Sequence, residues 1–85
     1  MRYRLSTHAQ DEIERRKIPR ALVESVLEAP DQMVPERGIL KAYQSRRDMS
    51  GRMFLVRVIV DDTVDPAVVV TVYRTTKIEK YWKKP

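Results

Sequence analysis

At 85 residues the chain is the length of one domain, 1–85, and it can bury only a modest core. It has no cysteine and a single histidine, which excludes disulfides, thiolate zinc sites and any multi-histidine metal site within one chain. Seventeen Lys and Arg against twelve Asp and Glu leave a formal net charge of +5, which points to a polyanionic partner, nucleic acid first.

No apolar run approaches the ~20 residues of a membrane span. The opening MRYRLSTHAQ lacks the apolar segment of a signal peptide, so a cytoplasmic location with no membrane partner is expected. Tyr3–Leu5 reads as a short edge strand. Thr7 is the expected N-cap of a first helix, with Gln10 completing a capping box. That helix should run to Arg16 or Lys17 on a thin apolar stripe of Ala9 and Ile13, flanked by Leu5 and Ile18. His8, Glu12 and Arg15 or Arg16 fall on a neighbouring face. Pro19 suits the first turn of a second helix, whose buried stripe is Leu22, Val23, Val26 and Leu27 and which stops at Ala29-Pro30. Met33-Val34 is a short strand. After the Pro35–Gly38 turn, Ile39–Arg47 is a longer one, ending in the turn Asp48–Gly51.

Two β-branched runs follow, Met53–Val60 and Ala67–Tyr73, joined through Asp61-Asp62 and Asp65-Pro66; they read as the two central strands of the sheet. A four-residue loop at 48–51 sets Arg47 opposite Arg52, hence Ala42 opposite Arg57, Gln44 opposite Leu55 and Arg46 opposite Met53. Gln44, Arg46, Arg57, Thr71 and Tyr73 then share one side. Ile39, Tyr43, Phe54, Val56, Val58, Val70 and Val72 take the other, toward the helices. Arg57 breaks the apolar pattern of its strand. It is either part of a binding face or a strand arginine covered by its own methylenes or paired with a carboxylate. Thr75 or Thr76 can cap a short helix with Ile78 and Tyr81 or Trp82 on its inner side. The tail holding Lys77, Lys80, Tyr81, Trp82, Lys83 and Lys84 either grips phosphates and stacks on bases, or is a solvated tail, or packs its aromatics on the core. The expected fold is α+β: two N-terminal helices on one face of a small antiparallel sheet, a short C-terminal helix, and a more open second face.

His8-Ala9 opening a helix, Arg15-Arg16-x-Ile18, Pro30 after the second helix, Arg57-Val58 and the block Val69–Thr75 resemble a family of small bacterial proteins placed near the RelE-like and BrnT-like toxins of type II toxin–antitoxin pairs. Many relatives carry an arginine four residues after the histidine; here Glu12 stands there. The resemblance implies a RelE-like fold and a metal-independent endoribonuclease without cofactor. Its implied partners are RNA, in the company of the ribosome, and a small antitoxin that holds it inactive; self-association is left open. Such cleavage uses the 2′-hydroxyl as nucleophile and needs a base, an acid and cations for the phosphorane charge. Arg57 and Arg46 could hold the scissile phosphate by bidentate bonds, and Arg74 could do so from the strand end. Tyr73 could stack on a base or serve as acid. His8 is the one side chain whose ordinary pKa lies near neutrality, though a first-turn histidine also commonly orients its helix. His8 and Glu12 have the spacing of two metal ligands but no third, so no metal is expected. The alternative is a non-catalytic module that binds RNA, a ribosome or a protein partner. What separates the two is whether Arg46, Arg57, Tyr73 and Arg74 converge.

Overall fold

The computed structural model describes residues 1–85. Its elements in chain order are β1 (Tyr3–Leu5), α1 (Thr7–Arg15), α2 (Arg20–Glu28), β2 (Gln32–Pro35), β3 (Lys41–Met49), β4 (Arg52–Asp61), β5 (Ala67–Thr75) and α3 (Ile78–Tyr81). The strands form one sheet in the order β1-β5-β4-β3-β2. The two β-branched runs are its interior, as their composition requires. β2 to β5 pair antiparallel, but β1 joins β5 in parallel, so the sheet is mixed rather than antiparallel throughout. A three-residue strand carries no pattern by which its partner or direction can be read. No helix is long and apolar enough to cross a membrane.

α1 packs on β5 and α2 on β3 and β4, all on one face of the sheet. Ala9, Ile13, Ile18, Val23, Val26 and Leu27 meet Tyr43, Val56, Val58, Val60, Ala67, Val69 and Val72 there as one apolar core. Tyr43 reaches out of it to donate to Asp62 at 2.9 Å, which pins the β4–β5 connection. Burial, reinforced by that carboxylate, pushes its phenol up to about 12.

The cap of α1 lies one residue earlier than expected. Ser6 Oγ accepts from the Ala9 amide at 3.0 Å and donates to the Val70 carbonyl at 3.0 Å. Gln10 reaches back to the Leu5 carbonyl instead of closing a capping box. The far end of α1 is a Schellman turn: Ile18 N–H bonds Ile13 O at 2.9 Å and Lys17 N–H bonds Glu14 O at 3.2 Å. Lys17 therefore sits at φ 53°, a left-handed position where glycine is usual.

The β3–β4 turn has two residues, Ser50 and Gly51, both left-handed at φ 57° and 83°. Met49 thus faces Arg52, and Gln44 rather than Ala42 faces Arg57. The shift from the expected register is two residues, so every side chain keeps its expected face. Ile39 is the exception: it lies in the preceding turn, 61% exposed, outside the strand and the core. A second irregularity changes faces. Between the pairs Ile59–Thr71 and Val60–Val69, β5 carries one extra residue, Val70. This bulge flips the alternation, so Val69 and Ala67 join the core and the expected Val70 does not.

Candidate nucleic-acid interface

The second face of the sheet is covered, not open. Arg57 projects into it and is 2% exposed. Its Nε donates to Gln44 Oε1 at 2.8 Å, and its Nη1 donates to the Tyr73 hydroxyl and, at 3.5 Å, to Glu36. The Tyr81 ring roofs the guanidinium at 4.2 Å, and Tyr73 meets Tyr81 edge-on at 6.2 Å. Burial raises the Tyr73 phenol above its ordinary pKa although the Arg57 cation pulls it down.

Residues 78–85 form a strap over this network. Gln44 Nε2 donates to the Tyr81 carbonyl at 3.1 Å and to Gln32 Oε1 at 2.9 Å. Gln32 in turn clasps the Lys83 backbone on both sides, donating to its carbonyl at 2.7 Å and accepting from its amide at 3.1 Å. Arg46 lies over the Trp82 ring at 3.9 Å. Of the alternatives for the tail, its aromatics pack on the sheet, and Tyr81 is no free stacking platform. Lys77, Lys80, Lys83 and Lys84 remain exposed.

The expected catalytic set does not assemble. Arg57 and Tyr73 touch, and Arg46 shares their face but is engaged with Trp82. Arg74 pairs across from Val56 and stands on the helix side. His8 lies on the outer surface of α1, on that same side of the sheet, with Nε2 4.0 Å from Glu12. No group of three or more His, Asp or Glu is placed to hold a metal ion.

Arg74 instead belongs to a groove that pattern reading missed. Arg15, Arg16 and Lys17 at the end of α1 face Arg74, Thr75 and Thr76 at the end of β5, with Phe54 between them. The groove continues past Lys17, Phe54 and Arg74 to Met49 and Arg52. Arg74 and Arg52 flank the Phe54 ring at 5.1 and 5.9 Å. Of the five groove cations only Arg15 and Arg16 have a carboxylate partner, and they share one, Glu12. Glu12 takes Arg15 at 2.8 and 2.6 Å and Arg16 at 2.7 Å, and the two guanidiniums hold its carboxyl down at about 2. Lys17, Arg52 and Arg74 have no carboxylate partner at all. The sequence signal was the run Arg15-Arg16-Lys17, which reads equally well as compensation of the helix dipole.

The family model described as Domain of unknown function (DUF4258) matches residues 5–74, and the chain belongs to that family. That span holds every groove residue named above except Thr75 and Thr76, and it ends before the strap. No curated protein matches the chain, and no solved structure does.

Proposed function

We propose that this chain is an RNA-binding domain that holds a phosphate backbone in the groove between the end of α1 and the ends of β4 and β5. The observation that carries this is the set Lys17, Arg52 and Arg74, without carboxylate partners and gathered around Phe54. Cations with no carboxylate partner give up no ion pair when they turn to phosphate, and releasing the counterions of the nucleic acid drives the association. The left-handed Lys17 adds support. A non-glycine residue held there is a strain that clusters at functional sites, and it places an ammonium at the mouth of the groove.

Binding is favoured over cleavage because Arg46, Arg57 and Tyr73 lie on the other side of the sheet from Arg74. The second reading keeps the RelE-like and BrnT-like placement, a metal-independent endoribonuclease covered by a small antitoxin. It rests on the sequence resemblance and on Arg74, the one cation of the expected set that stands in the groove.

The test is the salt dependence of affinity for a labelled oligoribonucleotide. Arg74→Gln and Lys17→Gly should each reduce the slope of log K against log salt by ~0.7, the single-strand value per phosphate contact. Arg20→Gln on α2 should leave it unchanged. Equal slopes in wild type and Arg74→Gln would remove the groove from consideration. Intact RNA after incubation with EDTA fits binding alone, whereas metal-independent cleavage brings the second reading forward.

A further inference from the structure

The strap is attached in an unusual way. α3 is a single turn with no buried residue, and neither Tyr81 nor Trp82 belongs to an apolar cluster. What holds it is the Gln32 clasp on Lys83, the Gln44 bond to Tyr81, the two guanidinium–ring stacks and the edge-on contact of Tyr81 with Tyr73. Segments with few buried apolar contacts open locally at a small fraction of the cost of global unfolding. The floor beneath is built differently. Arg57 is held by Gln44 of β3, Tyr73 of β5 and Glu36 of the β2–β3 turn, none of which belongs to the strap. The floor therefore persists when the strap lifts.

Lifting also changes the chemistry of the face. Arg57 loses its aromatic roof and Arg46 its indole. Gln44 Nε2 loses one of its two acceptors, and the Gln32 amide loses its backbone partner. The groups freed are two guanidiniums and two side-chain amides, a set dominated by donors. Two carboxylates oppose an anion there: Glu36, 33% exposed and 3.5 Å from Arg57, and Asp31, which accepts from the Arg46 amide at 2.9 Å. We propose that residues 78–85 are a detachable cover, and that its opening exposes a second anion site, centred on Arg57 and Arg46, whose ligand is a phosphate group, free or as the phosphodiester of a polynucleotide. This site lies on the opposite face from the groove and does not depend on it.

Trp82 is the sole tryptophan, so its fluorescence reports the strap directly. Gln32→Leu in the full chain removes both clasp bonds, and with them the Gln44 bond to Gln32, without changing charge or the Gln44 bond to Arg57. Trp82 emission should move to the red. The amides of residues 81–83 should lose hydrogen-exchange protection while β4 keeps its own. Apparent affinity should rise about fivefold or more, because it scales with the open fraction and two of the bonds lost are those that hold the strap. The probes are a labelled oligouridylate and inorganic phosphate. A gain for both assigns the site to the phosphate group alone, and a gain for the oligouridylate only assigns it to the polynucleotide. Adding Arg46→Gln to Gln32→Leu should cancel the gain, whereas adding Arg74→Gln should leave it, which separates this site from the groove. Three results overturn the proposal: strap amides that exchange only together with β4, an opened strap with unchanged affinity for both probes, or a gain that survives Arg46→Gln.

Discussion

The two faces of this sheet are closed by different physics. Toward the helices, Val56, Val58, Val60, Val69 and Val72 meet the apolar stripes of α1 and α2. Each such side chain contributes about 1.5–3 kcal/mol through burial that has no direction. Toward the strap the apolar cluster is small, Val34, Ala42 and Ile59, and Arg57, Gln44, Tyr73 and Gln32 are closed chiefly by directional bonds. Each is worth only about 0.5–1.5 kcal/mol net, yet removing one partner exposes the desolvation cost of the others. The helix face should degrade gradually under substitution and the strap face abruptly.

The largest effect is expected where the directional network has its centre. Arg57→Ala leaves Gln44 Oε1 and the Tyr73 hydroxyl without their donor and empties the space under Tyr81. Chemical denaturation should show a loss of about 2–4 kcal/mol. Arg57 is off the helix-side core, yet burial of the network makes its loss costly to the fold. A loss below about 1 kcal/mol would mean that the network is dispensable and that the contrast between the faces is false.

On the helix face, Val58 is fully buried, and Val58→Ala should cost about 1–3 kcal/mol. Native Trp82 emission should not change, since the strap lies on the other side. A shifted emission in this variant would show that the faces are coupled.

The smallest effect belongs to the Glu12 ladder on the surface of α1, which tests how much a directional contact matters when solvent screens it. Its carboxyl titrates at about 2 in the fold against 4.5 ordinarily. A depressed carboxylate contributes fully above about 4.5 and loses that contribution as pH falls toward about 2. Wild type should melt slightly higher than Glu12→Gln at neutral pH, and the two curves should converge through that acid window. Curves that coincide at every pH would assign the ladder no role in stability.

What could be read from the chain follows from how local each signal was. The β-branched runs, the helical stripes and the α+β class rest on periodicity within one segment, and they hold. The β3–β4 register missed by two because Ser50-Gly51 was read inside a four-residue loop, although a two-residue turn with Gly second was the shorter solution. An even error preserves faces, so Arg57 still landed opposite the core. The bulge at Val70 left no trace in a run of four similar residues, Ala67–Val70, and there the odd shift moved Val69 inward. Ser6 outcompeted Thr7 as cap because its hydroxyl also reaches Val70, a contact 64 residues away. The candidate site split along the same line. Arg74 was flagged from its motif, but its neighbours come from elsewhere in the chain, Lys17 from the turn after α1 and Arg52 and Phe54 from β4. Only the assembled fold places them together.

The pairing of β1 with β5 sets the order in which this molecule can form. Tyr3 lies opposite Ala67, and β1 has no other neighbour in the sheet. During synthesis β1 and α1 emerge well before β5, and their apolar residues wait for it, whereas α2 waits only for β3 and β4. Such long-range closure slows folding and leaves the unfinished chain with its sticky stripe uncovered. Until β5 is made, β1 therefore has no partner strand and the apolar stripe of α1 stays uncovered, a segment open to chaperones and proteases.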